Sequence, residues 1–283
     1  MTYTNPEALV STEWLAAHLS APDVRVVDAS WHMPATGRNG RDEYDARHIP
    51  GAVFFDVDDI ADTGIDLPHM LPPPAKFASK VRKLGLGNGH KIVVYDTDGM
   101  GAARAWWMFR VFGHRDVAVL DGGLTKWVAE GRALEDLPPM PRDRHFLPHV
   151  NATLVRDFAQ MRANVDSGTE QVVDARSAGR FAATAPEPRP SLHVGHMPGA
   201  LNVPFNDLVD SESKTMKPAA ELRARFAAAG LDFDRPAVAS CGSGMTACTV
   251  ALALYLLGKT DVAVYDGSWG EWGNHPDAVA VSG

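Results

Sequence analysis

The chain repeats itself. His48-Ile49-Pro50-Gly51-Ala52 returns as His196-Met197-Pro198-Gly199-Ala200, 148 positions later. Val26-Val27-Asp28-Ala29 returns as Val172-Val173-Asp174-Ala175. Val119-Leu120-Asp121-Gly122-Gly123 returns as Val264-Tyr265-Asp266-Gly267-Ser268, and Trp127 as Trp272, both 145 positions on. Landmarks in one order at nearly constant spacing mark a tandem duplication, so the chain must fold as two like units. At 283 residues in all, each unit has the size of an ordinary domain. Between the copies, residues 135–148 hold Pro138, Pro139, Pro141 and Pro148. Proline removes amide donors and fixes the backbone, which predicts an extended linker. The expected division is a first domain over 1–134, a linker over 135–150 and a second domain over 151–283.

Within each copy, short β-branched runs alternate with longer stretches of helical periodicity. The runs are 24–28, 91–95 and 117–120 in the first copy, and 171–174, 236–240 and 262–265 in the second. Residues 102–112 and 246–257 carry the clearest helical pattern, and 9–19 reads as an amphipathic helix. Strands alternating with helices predict an α/β fold, a mainly parallel sheet flanked by helices in each domain. Ligands of such sheets bind at the carboxyl ends of the strands, which directs attention to the residues just after Tyr95 and Ser240.

After Ser240 comes Cys241-Gly242-Ser243-Gly244-Met245-Thr246-Ala247-Cys248, leading into a helix. Glycines let successive N–H groups turn inward as a concave anion nest. A helix start adds unpaired N–H groups and the positive end of its dipole. A thiol held there is a candidate nucleophile. Cys248, two helical turns on among Ala247, Val250 and Ala251, is expected to be a packing residue. The first copy has Asp96 where the second has Cys241, so one copy carries chemistry and the other is scaffold. His48, His196, Trp127 and Trp272 occur in both halves, including the half with no nucleophile, and shared packing explains them better than catalysis.

Two cysteines cannot make a disulfide framework for this length, and their spacing fits no metal site. No metal or organic cofactor is expected. Lys plus Arg is 27 against Asp plus Glu at 35, a net charge of −8, with no basic run, which argues against nucleic acid or an anionic membrane as partner. No apolar stretch is long enough to span a bilayer, and residues 1–20 lack a signal peptide's basic start and apolar centre. The expected setting is the cytoplasm and the expected state a monomer.

With these residues in view, the chain resembles the two-domain rhodanese family over essentially its whole length, and within it the branch that uses 3-mercaptopyruvate. The resemblance rests on Asp28-Ala29-Ser30-Trp31, Phe54-Phe55-Asp56, His69-Met70-Leu71-Pro72, Trp106-Trp107-Met108-Phe109-Arg110, Gly179-Arg180-Phe181, Pro186-Glu187-Pro188-Arg189 and Tyr265-Asp266-Gly267-Ser268-Trp269. It implies a tandem pair of rhodanese-like domains, the second catalytic, moving sulfur through a persulfide on Cys241. It implies a loop of Gly242, Gly244, Met245 and Thr246 around the substrate, with Met245 standing where the family usually has valine. It implies Arg180 and Arg189 on the donor's carboxylate and keto oxygens, a task that suits guanidinium forks. It also implies a proton relay of Ser243, His69 and Asp58 across the two domains. Arg176, near a strand end, is expected to anchor Asp174 or the loop backbone. Thiosulfate-using rhodaneses carry basic residues at the two positions after the cysteine; here Gly242 and Ser243 stand there, which favours 3-mercaptopyruvate as donor. The acceptor would be a thiol such as thioredoxin or a small thiol, with cyanide accepting in an assay.

Three other readings compete. Thiosulfate sulfurtransferase shares the fold and nucleophile. A cysteine phosphatase would need an arginine six positions after the cysteine, where this chain has Ala247. A non-enzymatic persulfide carrier would not need Arg180 and Arg189, which the first copy's corresponding loop lacks.

Overall fold

The computed structural model describes residues 2–282. The front half runs β1 (Leu9–Val10), α1 (Thr12–His18), β2 (Val24–Asp28), α2 (Gly40–Ala46), β3 (Val53–Phe54), α3 (Val57–Ile60), α4 (Pro74–Lys83), β4 (Lys91–Tyr95), α5 (Gly101–Val111), β5 (Val117–Leu120) and α6 (Gly123–Ala129). The rear half runs β6 (Val155–Arg156), α7 (Phe158–Ser167), β7 (Gln171–Asp174), α8 (Ala178–Phe181), β8 (Leu201–Asn202), α9 (Ala219–Ala228), β9 (Ala237–Ser240), α10 (Ala247–Leu256), β10 (Ala263–Tyr265) and α11 (Ser268–Trp272). Each half forms a parallel five-stranded sheet, ordered β1-β5-β4-β2-β3 in front and β6-β10-β9-β7-β8 behind. The registers repeat as well: Asp28 lies opposite Tyr95, and Asp174 opposite Ser240. The duplication read from the sequence is thus a duplication of sheet topology.

The central strands are buried along nearly their whole length because helices cover both faces. Every residue of α5 except Arg110 is buried, as is every residue of α10 except Tyr255. A helix apolar all round must be enclosed, and these two, counterparts in the repeat, pack on each other. One hydrophobic core therefore runs through both halves, from Val27 and Trp106 in front to Leu252 and Val264 behind.

Residues 9–19 are not one helix. Leu9 and Val10 form a short strand that pairs in parallel with β5, opposite Val119 and Leu120. The helix starts only after Ser11, whose hydroxyl caps it by accepting from the Trp14 amide. The alternation of apolar residues there serves two elements in turn. Residues 138–151 hold neither helix nor strand, but this stretch lies along the front domain. The Arg144 amide donates to Arg82 O, the Leu147 amide to Asn88 Oδ1 and the His149 amide to Phe112 O. Phe146 is buried against Phe77 and Phe109.

Candidate active site

The candidate nucleophile sits where β9 ends and the chain turns towards α10. Cys241 is only 1% exposed. Its loop is braced from behind by the segment that follows β10. The amides of Cys241 and Gly244 both donate to Ser268 Oγ at 3.1 Å. In return, the amides of Trp269 and Gly270 donate to the carbonyls of Cys241 and Gly242. Gly244 has φ 74°, the left-handed turn that glycine adopts without steric cost. Among the described residues, the amides of Gly242, Ser243, Met245, Thr246 and Ala247 find no acceptor in the protein. They are the donors a nest around a sulfur anion would use.

The front copy shows what such a loop holds. There the carboxylate of Asp96, the counterpart of Cys241, accepts from the amides of Gly99 and Ala102, each at 2.7 Å. Gly99 and Ala102 are the counterparts of Gly244 and Ala247. The front nest is filled by its own side chain, and an anion occupies the position that the thiol takes behind. Burial outweighs these two hydrogen bonds and pushes the Asp96 carboxyl up to about 6. Asp98 lies elsewhere, paired with Arg38 and His32.

In front of Cys241 opens a cleft of about 270 Å³. Gly242, Ser243, Met245 and Thr246 line it beside the cysteine, Trp31 and Met100 come from the front domain, and Arg176, Arg180 and Arg189 from the rear. Arg180 reaches over Gly242 so closely that a Cβ there would stand 2.8 Å from its Nη2. Its guanidinium is already paired: Glu187 Oε2 accepts from Nε at 3.0 Å and from Nη2 at 2.5 Å. The other oxygen of Glu187 accepts from Arg176 Nη1 at 2.7 Å. Arg176 also grips both oxygens of Asp174 and the Gly195 carbonyl, and it stacks on Trp269. It is the anchor its place at the strand end predicts. Arg189, by contrast, has no ion-pair or hydrogen-bond partner among the described residues.

His69 and Asp58 come together in the front domain. His69 Nδ1 lies 2.8 Å from Asp58 Oδ1, in a bent approach that makes an electrostatic contact more than a directional hydrogen bond. The second carboxylate oxygen accepts from Trp31 Nε1 at 2.9 Å, and the Trp31 ring meets the His69 ring edge-on. Burial raises the Asp58 carboxyl, but His69, Trp31 and Arg189 together outweigh it and hold the group below its ordinary value. His69 has φ 63°, a left-handed region costly for any non-glycine residue, and Arg104 Nη2 donates to its carbonyl there. Ser243 belongs to the rear domain and lines the cleft. Among the described residues no hydrogen bond joins it to His69.

Ser268, Glu187 and Trp31 have no role that the sequence alone assigns. Ser268 replaces a glycine of the first copy, which was the available signal. Glu187 lies within Pro186-Glu187-Pro188-Arg189, but no spacing along the chain says that it pairs with both Arg176 and Arg180. Trp31 likewise belonged to a motif without an assigned role. Cys248 is buried, and its thiol donates to the Gly244 carbonyl at 3.2 Å; its place is one of packing.

The profile of the rhodanese-like domain matches this chain twice, over residues 11–130 and 157–275. The chain is 43% identical to 3-mercaptopyruvate sulfurtransferase of Homo sapiens, across 94% of this chain and 91% of that protein. It is 46% identical to thiosulfate sulfurtransferase of Mus musculus, with the same coverage. Among solved structures it is similar to SseA from Escherichia coli, described as a 3-mercaptopyruvate sulfotransferase with the rhodanese fold. The two superpose with a TM-score of 0.85 at 40% identity, over 93% of this chain and 99% of that one. Two parallel sheets of one topology, a cysteine loop in only one of them and these likenesses over nearly the full length agree: the chain belongs to the rhodanese family of sulfurtransferases.

Proposed function

We propose that the protein takes sulfur from 3-mercaptopyruvate onto Cys241 and passes it to a thiol. The carrying observation is the front nest, where the same loop backbone holds an anion at the nucleophile's position. In the first step the Cys241 thiolate attacks the donor's sulfur, a sulfur–sulfur bond forms and the carbon–sulfur bond breaks. The electron pair stays on carbon as the enolate of pyruvate, which takes up one proton, so the proton lost from Cys241 is balanced by that gained by pyruvate. His69, paired electrostatically with Asp58, and Ser243, which lines the cleft, are the groups proposed to deliver it. In the second step an acceptor thiol attacks the outer sulfur and leaves Cys241 reduced. Thioredoxin or a small thiol is the proposed acceptor, and cyanide would serve in an assay.

Charge supports the donor assignment. Gly242 and Ser243 bring no cation to the sulfur, and Glu187 neutralises Arg180. Among the described residues Arg189 remains a cation of the cleft without an ion-pair partner, suited to a donor with one carboxylate. The rival donor, thiosulfate, is favoured by relatives of comparable identity that bear its name. Both cysteines are free, which supports the proposed cytoplasmic setting, and among the described residues no helix is long and apolar enough to cross a membrane. The domains bury each other's apolar helices, which supports a monomer. Intact-mass analysis after mixing with 3-mercaptopyruvate tests the proposal: one sulfur gained on Cys241, with pyruvate released, is expected. Thiosulfate giving the higher kcat/KM would move the assignment to that donor, and no sulfur gain from either would refute it.

A further inference from the structure

The contacts between the two halves are reciprocal. Asp266 Oδ2 accepts from the Leu71 amide at 2.6 Å, and Asp121 Oδ1 accepts from the Met216 amide at 2.7 Å. Asp121 is the counterpart of Asp266, and Leu71 that of Met216, each 145 positions apart. Arg104 Nη1 reaches the Gly244 carbonyl at 3.3 Å, and its counterpart Thr249 reaches the Gly99 carbonyl at 3.2 Å. His69 and its counterpart Lys214 both stand at positive φ, 63° and 58°. Each half therefore lends a loop to cover the strand ends of the other, fastened by the same two hydrogen bonds.

What the repeat does in both directions is scaffold, and what it does in one direction only calls for another reason. Threonine is enough to fasten a helix to a glycine carbonyl, yet the contact to the nucleophile loop is made by arginine. Arg104 is 0% exposed, a placement that is costly for a cation without partners. Its second arm, Nη2, takes the carbonyl of His69. The first arm also pairs with Asp266 Oδ1 at 2.7 Å, and the guanidinium lies 4.5 Å over Trp107. One rigid fork thus holds the backbone of His69 with one arm and the loop of Cys241 with the other. We infer that Arg104 is a positioning residue that fixes His69 relative to the nucleophile loop across the domain boundary. Arg104 acts through His69 and touches no reacting atom. The inference rests on the proton role proposed for His69.

The test compares native protein with Arg104→Thr, which installs the residue of the other copy, and Arg104→Lys, which keeps the charge against Asp266 but loses the fork. Single-turnover sulfur uptake by Cys241 is followed by quenched intact mass, with 3-mercaptopyruvate and with thiosulfate, across pH. Sulfite leaves thiosulfate without taking a proton, whereas the pyruvate enolate requires one. Uptake from 3-mercaptopyruvate should fall about tenfold or more in both variants, with an altered pH profile, while uptake from thiosulfate changes less than about threefold. Equal losses with both donors would make Arg104 a brace for the loop alone and overturn the inference, as would a native rate and pH profile in either folded variant. Should Arg104→Thr fail to fold, Arg104→Lys decides. If thiosulfate reacts too slowly to follow, an unchanged pH profile with 3-mercaptopyruvate is the refuting result. His69→Ala separates the two layers: a native rate there ends the proton role and this inference with it, whereas a slow His69→Ala beside a native-like Arg104→Lys refutes only Arg104.

Discussion

Gly99 and Gly244 occupy the same place in the two loops, at φ 79° and 74°, yet alanine should be received very differently. At Gly99 an added Cβ meets nothing within 4 Å. Only the backbone cost remains, about 1–2 kcal/mol for an L-residue in the left-handed region. Stiffening of the unfolded chain offsets ~0.4–1 kcal/mol of it, so Gly99→Ala should destabilise by about 1 kcal/mol. At Gly244 the same atom would stand 2.6 Å from the Asp266 carbonyl oxygen and 3.0 Å from Arg104 Nη1. Ordinary contact begins at 3.4 Å, and a backbone carbonyl cannot swing aside as a side chain can. The loop must retreat by the better part of an ångström. Overpacking adds about 1–3 kcal/mol, for a total of roughly 2–4 kcal/mol. A misplacement near 1 Å costs on the order of 100-fold in rate, so Gly244→Ala should lose that much sulfur transfer while Gly99→Ala keeps its activity. Urea unfolding of both variants, beside steady-state turnover of 3-mercaptopyruvate with cyanide as acceptor, measures both quantities. Equal destabilisation, or a fully active Gly244→Ala, would refute the account of the loop as a tightly braced nest.

Cys241→Ser should abolish sulfur uptake, whereas Cys248→Ser, which keeps a donor to the Gly244 carbonyl, should retain most of it. Burial pushes the Cys248 thiol up to about 12, so mild alkylation of native protein should spare it until the chain unfolds; rapid labelling of two thiols would contradict this. Asp96 is held at about 6 when folded, above its unfolded value, so the native state keeps this proton longer and stability falls as pH rises from about 4 to 6. Across that window the native protein should lose up to about 3 kcal/mol relative to Asp96→Asn, and a flat difference in urea midpoints would refute it. Glu187→Gln removes the charge that neutralises Arg180 and should raise kcat/KM for thiosulfate relative to 3-mercaptopyruvate; an unchanged ratio would show that this carboxylate does not set donor choice. Ser268→Ala strips the acceptor from the amides of Cys241 and Gly244 and should destabilise by about 1–3 kcal/mol, with slower sulfur uptake. Unchanged stability would mean that those amides find another partner.

Much of the fold was legible because its signals are local or repeated. The β-branched run Lys91–Tyr95 is a strand with the bounds the sequence suggests, and the helices after both loops begin within one residue of expectation. His48 and His196 each pair their backbone with the chain's later course and stack on Tyr44 or Phe181, contacts that fit shared packing. Trp127 and Trp272 are buried, and each donates its indole N–H to a carbonyl six or seven residues on. The strand Leu9–Val10 could not be read, because two residues carry no period and only the neighbour β5 makes them a strand. Arg104 was hidden for a similar reason. In sequence it is one cation in an apolar helix, and its partners His69, Gly244 and Asp266 come from three distant segments. The neutralised state of Arg180 was also out of reach, since a motif spells out residues but not which carboxylate each guanidinium faces.

The differences between the copies are linked. Where Asp96 stands in front, its carboxylate accepts from the Gly99 amide. A cysteine in that position gives up this acceptor, so the matching amide of Gly244 needs another, and Ser268 Oγ supplies it from the place of Gly123. Three departures from the repeat then meet around one loop: Cys241 for Asp96, Ser268 for Gly123 and Arg104 against Thr249. On the proposed mechanism, the first frees the remaining amides of the nest for a charge that comes and goes with the reaction. The second keeps the turn intact once its own carboxylate is gone. The third reaches from the front half, whose nest is permanently filled, and so ties the scaffold copy to the working one. If Arg104 positions His69 as inferred, a front-domain variant that disturbs only this reach should change the rear domain's chemistry, which would make a domain with no nucleophile part of the site.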